Sequence, residues 1–169
     1  IGSVLLIPLA AASHWQVNTW RTDETLFRHA IAVNPRSPIA WNNLGQALLR
    51  NGDAPAAHAA FLRAIEIAPQ STVALYNLGV MAEQQGNEPE AGQYFEQAAE
   101  QPEARPQALV AWARWLSRHG RQPEAIEWYR QTIASSPRHV EALTEYAGLL
   151  HAMGETDKAK ALFEAAIAL

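Results

Sequence analysis

The 169-residue chain contains no cysteine, which excludes disulfide bonds, thiolate zinc sites and a cysteine nucleophile. It also lacks an excess of basic residues, because 13 Lys and Arg stand against 17 Asp and Glu, a formal net charge of -4. Surfaces that bind nucleic acid need clustered Lys and Arg to replace counterions. The charge balance therefore argues against a nucleic-acid partner.

Motifs that carry catalytic chemistry are also absent from the sequence. None of the six histidines has another histidine four residues away on a helix, and none stands in an H-E-x-x-H arrangement. The sequence has neither a Gly-rich phosphate loop nor a G-x-S-x-G elbow. We therefore predict no metal, no cofactor and no catalytic residue in this chain, which is not an enzyme as it stands.

A third absence concerns the first twenty residues, IGSVLLIPLAAASHWQVNTW, which contain no Asp, Glu, Lys or Arg. A soluble helix would show a polar stripe with a period of about 3.6 residues, whereas VLLIPLAAA is apolar on all sides. Residues 1–20 are therefore predicted to be the C-terminal part of a transmembrane helix, with Trp15 and Trp20 at the membrane–water interface. The alternatives are a buried end-cap helix, a signal-peptide remnant and a cloning scar at Gly2 and Ser3.

Three kinds of residue recur along the chain with one period of 34 residues. The series are the glycines Gly52, Gly86, Gly120 and Gly154, the alanines Ala57, Ala91, Ala125 and Ala159, and the aromatics Phe27, Phe61, Phe95, Tyr129 and Phe163. A fixed period of this length is typical of an array of helix pairs. The glycines are predicted to close the turn inside each pair, and the alanines to let its two helices approach closely.

Residues after the turn glycines predict where the second helix of each pair begins. Proline recurs at Pro55, Pro89 and Pro123, in the first helical turn, where the missing N–H is tolerated. Asp53 and Asn87 are predicted N-caps of these helices. The sequence therefore predicts an all-α chain of antiparallel helix pairs.

The stretch WNNLGQALLRNGDAPAAHAAFLRAIEIAP resembles the tetratricopeptide repeat. The resemblance covers four repeats, 38–71, 72–105, 106–139 and 140–169, which follow a half repeat at 21–37. A single pair cannot bury its apolar face, so we expect the pairs to stack into a right-handed solenoid whose first helices line a concave surface. Repeats of this family are scaffolds that bind a protein or peptide partner.

The stretch HWQVNTWRTDETLFRHAIAVNPRSPIAWNNLG carries a second resemblance, which rests on Trp20, Asp23, Leu26 and Phe27. It is similar to the segment that follows the last membrane helix in the transmembrane and tetratricopeptide-repeat proteins. These are O-mannosyltransferase-like membrane glycosyltransferases, and the resemblance extends to their bacterial relatives. The resemblance implies the membrane-anchored tail of such an enzyme, on the periplasmic or lumenal side. The alternative is a structural or assembly subunit of a larger membrane complex.

Candidate partner-binding residues lie on the predicted first helices. Asn43 and Asn77 resemble the asparagine ladder of the O-GlcNAc transferase repeats, although the next two rungs are Ala111 and Glu145. An amide side chain can bind a peptide backbone because it both donates and accepts hydrogen bonds. The predicted groove of mixed charge contains Asn43, Gln46, Arg50, Tyr76, Asn77, Arg114, Arg118 and Glu145.

Trp115 is a separate candidate. It stands where the two preceding repeats have Met81 and Ala47, so a bulky ring replaces smaller side chains. We predict that Trp115 marks a contact surface, and the alternative is that the ring fills space within the array.

Overall fold

The structure is a computed structural model that describes residues 22–169. Every regular element in this range is an α-helix, which confirms the all-α prediction. The helices are α1 (Asp23–Val33), α2 (Pro38–Arg50), α3 (Ala54–Ile67), α4 (Thr72–Gln84), α5 (Glu88–Ala99), α6 (Pro106–Arg118), α7 (Gln122–Ser135), α8 (Val140–Ala152) and α9 (Thr156–Ile167).

The chain divides into two compact units, of which the first ends at Ala74 and the second runs from Leu75 to Leu169. In the described range the first unit contains α1, α2, α3 and the first turn of α4. The second unit contains the rest of α4 and α5 to α9.

The turn inside each helix pair is closed by glycine, as the sequence predicted. Gly52, Gly86, Gly120 and Gly154 have φ angles of 83°, 74°, 78° and 83°. Residues with a Cβ rarely adopt this left-handed conformation, so each glycine ends one helix and redirects the chain into the next.

The second helices of the pairs begin with the capping residues and prolines that the sequence predicted. The Asp53 carboxylate accepts a hydrogen bond from the N–H of Ala56 at 3.1 Å, and the Asn87 side chain accepts one from Glu90. A proline occupies the first turn of α3, α5 and α7. These contacts satisfy helical N–H groups that would otherwise lack a partner.

In the first unit, α2 and α3 are held together by a ring that packs on a glycine. Phe61 is fully buried, and a Cβ at Gly45 would lie 2.6 Å from its Cε1 atom. The absence of a side chain at Gly45 therefore lets α3 approach α2 closely. Helix α1 is joined to the end of α2, where Arg50 and Asp23 form an ion pair of 2.5 Å.

In the second unit, the same arrangement joins α4 and α5. Phe95 is fully buried, and a Cβ at Gly79 would lie 2.6 Å from its Cδ1 atom. The alanines of the series behave as predicted, because Ala91 and Ala125 are 0% exposed. The core of this unit continues through α6, α7 and α8.

Apolar side chains are more exposed on α9. Phe163, the last member of the aromatic series, is 39% exposed, whereas Phe95 is 0% exposed. Ile167 is exposed as well.

Among residues 22–169, no helix combines the length and the apolar character that crossing a membrane requires. The predicted transmembrane segment, residues 1–20, lies outside the described residues, and so do Trp15 and Trp20.

Candidate functional site: a cleft between α6 and α8

Five charged side chains of α4, α6 and α8 meet in the second unit. The guanidinium group of Arg114 lies 3.9 Å from a carboxylate oxygen of Glu83, 3.5 Å from one of Glu141 and 3.8 Å from one of Glu145. Arg118 forms an ion pair with Glu83. Two guanidinium groups thus share three carboxylates.

A cleft of about 490 Å³ opens beside this cluster, with α6 on one side and α8 on the other. Its lining residues are Arg114, Ser117, Arg118, Tyr129, Thr144, Glu145, Gly148, Leu149 and Ala152. We refer to it as the α6–α8 cleft. Three of the predicted groove residues, Arg114, Arg118 and Glu145, therefore line one cavity.

Tyr129 of α7 is the most deeply buried side chain of the lining that carries a hydroxyl group, at 1% exposure. Burial raises the pKa of Tyr129, and the charges of Glu145 and Arg114 act on the same hydroxyl. The hydroxyl is therefore neutral at physiological pH and faces the charged cluster.

Tyr76 of α4 also lies near the cluster. Burial raises the pKa of its hydroxyl, which also lies in the field of Glu141, Arg114 and Glu83. Its ring tilts against Phe95 with the ring centres 6.2 Å apart. Tyr76, a predicted groove residue, thus borders the charged cluster without lining the cleft.

Gly148 gives the cleft part of its width. A Cβ built at this position would meet no atom within 4 Å. The corresponding positions of the earlier repeats hold Gln46, Val80 and Arg114, all of which carry longer side chains. The fourth repeat therefore leaves open space where the others have a side chain.

The remaining predicted groove residues lie elsewhere. Asn43 and Gln46 are half-buried on α2 of the first unit, and Arg50 ends that helix. The Asn43 side-chain oxygen accepts a contact of 3.4 Å from Asn42. Asn77 is half-buried on α4 and does not line the α6–α8 cleft. Peptide binding by the two asparagines stays a prediction.

Trp115 points toward α5. Its Nε1 donates a hydrogen bond of 3.0 Å to the carbonyl oxygen of Glu88, and a Cβ at Gly92 would lie 2.6 Å from its ring. The ring also stacks on Trp112 and on His119, with centres 5.1 Å and 3.9 Å away. These contacts give Trp115 packing partners within the second unit, and a contact surface at Trp115 stays a prediction.

Sequence reasoning did not single out Tyr129 or Gly148 as site residues. A signal was present for both, because Tyr129 is the only tyrosine in the aromatic series and Gly148 is outside the series of turn glycines. For metal binding, residues 22–169 contain no group of three or more His, Asp or Glu side chains placed to hold an ion.

A model of the tetratricopeptide repeat matches residues 11–72, 73–108 and 110–169 of the chain. The chain belongs to the tetratricopeptide repeat family. No curated protein matches it. The fold of this tetratricopeptide-repeat chain also recurs in solved structures, three of which are similar over most of their length.

The crystal structure of MamA is 19% identical, with a TM-score of 0.68 over 84% of this chain and 83% of MamA. PilF of Pseudomonas aeruginosa is 18% identical, with a TM-score of 0.76 over 96% of this chain and 73% of PilF. YrrB, described as a tetratricopeptide-repeat protein with an unusual peptide-binding site, is 21% identical, with a TM-score of 0.70 over 83% of this chain and 72% of YrrB. At these identities the similarity establishes the fold alone.

Proposed function

We propose that the chain is a protein-interaction scaffold that holds an extended segment of a partner protein in the α6–α8 cleft. The observation that carries this proposal is the convergence of Arg114, Arg118 and Glu145 with a buried tyrosine around one open cavity. The family binds peptide or protein partners, and YrrB is described as having a peptide-binding site. The proposal assigns no catalytic step to this chain.

The cleft has the chemistry that a peptide segment requires. Arg114 and Arg118 donate hydrogen bonds, Glu145 accepts them, and Leu149 and Ala152 supply apolar surface. Most binding sites combine such an apolar lining with a few polar groups that fix orientation. An extended peptide offers the matching groups, because its backbone both donates and accepts while its side chains supply apolar area.

Filling the cleft is expected to abolish peptide binding. Gly148→Trp places an indole where a Cβ meets no atom within 4 Å, so the ring extends into the cleft rather than into the core. Random peptides displayed on phage are selected against the unsubstituted chain, and the enriched peptides are synthesised. We expect Gly148→Trp to weaken their binding, measured by fluorescence anisotropy, by about tenfold or more.

Gly148→Ala is the matched control for this substitution. It adds one methyl group at the same position and improves helix propensity, so it should retain binding within about a factor of three, or about 0.7 kcal/mol. Circular dichroism checks that both variants stay helical. Equal affinity of the Gly148→Trp variant and the unsubstituted chain, or a selection that enriches no peptide, would contradict the proposal.

Membrane attachment through residues 1–20 is the finer part of the proposed function. It is supported by the absence of charge in this stretch and by the resemblance of the junction around Trp20 and Asp23 to membrane glycosyltransferases. By the same resemblance, the scaffold is the tail of such an enzyme on the periplasmic or lumenal side of the membrane.

Deleting residues 1–20 tests this part. The chain of residues 1–169 is expected to partition into detergent micelles or lipid vesicles, because apolar helices are transferred favourably into hydrocarbon. The chain that begins at Arg21 is expected to remain in the aqueous phase and to stay helical. If both chains stay in the aqueous phase without detergent, the membrane proposal is wrong and the end-cap alternative takes its place.

A further inference from the structure

The α6–α8 cleft contains a hydroxyl group that packing does not require. The aromatic series has fully buried phenylalanines at Phe61 and Phe95, and Tyr129 occupies the same position in the third repeat. Tyr129 is 1% exposed as a residue and lines the cleft. Its hydroxyl is not one of the buried unpartnered atoms of the described range 22–169, so it is reached from the cleft and can donate a hydrogen bond to a ligand there.

Arg114 lines the cleft as well, and its ion pairs are longer than hydrogen bonds. Its ion-pair distances of 3.5, 3.8 and 3.9 Å exceed the length of an N–H···O hydrogen bond, which is about 2.7–3.2 Å. A guanidinium group carries five N–H donors in a fixed plane. Tyr129 and Arg114 therefore present hydrogen-bond donors to the same cavity, and Glu145 presents an acceptor beside them.

The charges around the cleft disfavour ligand groups with a net charge. An incoming carboxylate would approach Glu145 and the other two carboxylates that surround Arg114, whereas an incoming ammonium group would approach Arg114 and Arg118. A peptide amide has no net charge and carries both a donor and an acceptor. It is the group that fits two donors next to one acceptor.

The apolar part of the cleft favours an aliphatic side chain. Gly148 leaves open space on α8, and Leu149 and Ala152 bound that space with apolar surface. An aliphatic side chain would bury its surface there.

We infer that the α6–α8 cleft selects one uncharged residue of the partner segment. Tyr129 and Arg114 donate to the backbone carbonyl of that residue, and Glu145 accepts from its N–H. Its aliphatic side chain lies over Gly148. This inference rests on the proposed function, to which it adds the chemistry of the ligand.

The test uses pools of nonapeptides with blocked ends, random flanking residues and one fixed central residue. The pools carry Ala, Val, Asp, Lys or Gln at the centre, and the binding of each pool to the chain of residues 1–169 is measured. We expect the Ala and Val pools to bind best and the Asp and Lys pools to bind least. Preference for Asp or Lys would overturn the inference while leaving the proposed function standing, whereas absence of binding by every pool would overturn both.

Tyr129→Phe is the decisive variant, because Phe61 and Phe95 show that phenylalanine is accommodated at this position. Loss of one net hydrogen bond should weaken the binding of the Ala and Val pools by about 2- to 12-fold. The thermal midpoint of unfolding of the variant should stay unchanged. Glu145→Gln removes one of the carboxylates and should raise the binding of the Asp pool relative to the Ala pool. Unchanged binding by the Tyr129→Phe variant would overturn the assignment of the hydroxyl.

An amide could come from the backbone or from a Gln side chain, and the Gln pool together with one N-methylated pool distinguishes these sources. N-methylation of the central residue removes its backbone N–H donor and should weaken the binding of the Ala pool by about 2- to 12-fold. If the Gln pool binds best and N-methylation has no effect, the cleft binds a side-chain amide and the backbone assignment is wrong.

Discussion

Phe95→Ala is expected to lower the free energy of unfolding by about 3–5 kcal/mol, the range for a buried phenylalanine cut back to alanine. Phe95 is 0% exposed, and its ring occupies the space that Gly79 leaves between α4 and α5. The substitution removes both the buried apolar surface and the contacts that hold the two helices together. Gly79 has no side chain that could move into the space. Urea unfolding followed by circular dichroism measures the loss.

Phe163→Ala is the matched control, since the same residue type stands at the same repeat position. Phe163 is 39% exposed, so less apolar surface returns to water when it is truncated. We expect a loss of less than about half that of Phe95→Ala, because the hydrophobic contribution scales with buried apolar area. Equal losses for the two substitutions would show that burial in the aromatic series does not determine stability.

Local features of the repeat could be predicted from the sequence because they depend on neighbouring residues. A left-handed turn needs glycine, and a helix that begins after it needs a capping side chain, so Gly52, Asp53 and Pro55 together define one helix boundary. The period of 34 residues then transfers this boundary to the other repeats. The predicted turn glycines and caps are confirmed for this reason.

The α6–α8 cleft could be predicted only in part. Arg114 and Glu145 lie on first helices, and the repeat pattern alone places them on one face. Tyr129 lies on a second helix, where the aromatic series explains it by packing. The sequence does not show that its hydroxyl emerges between two neighbouring first helices, because this depends on how closely α6 and α8 approach each other. The role of Gly148 could not be predicted, because a missing side chain opens a cleft only if the neighbouring helices leave the space beside it empty.

Trp115 illustrates the same limit. The repeat comparison shows that its ring is larger than Ala47 and Met81, but a size difference does not reveal where the extra atoms go. The space is provided by Gly92, which replaces the His58 of the preceding repeat. The large residue and the missing side chain are 23 positions apart, so only the packing of α6 on α5 relates them.

Gly92→Ala is accordingly expected to destabilise the protein by about 1–3 kcal/mol, the range for overpacking a well-packed site. The new Cβ would lie 2.6 Å from the Cε2 and Cζ2 atoms of Trp115. The ring cannot move away easily, because Trp112 and His119 stack on it and its Nε1 is hydrogen-bonded to the Glu88 carbonyl. In an unhindered helix the same change would stabilise by about 0.5–1 kcal/mol. Gly148→Ala provides that unhindered reference in the same unit.

A double-mutant cycle with Trp115→Met shows whether the ring is the cause of this destabilisation. Methionine stands at this position one repeat earlier, where Met81 is 3% exposed, so the repeat accommodates it. With the ring removed, Gly92→Ala should no longer overpack α5, and its effect should approach the stabilisation expected for Gly148→Ala. We expect a coupling energy of at least about 1 kcal/mol between Gly92 and Trp115 from urea unfolding of the four variants, within the range for residues in contact. Additive losses would contradict a direct contact, and Trp115 would then become available for the contact surface that the sequence suggested.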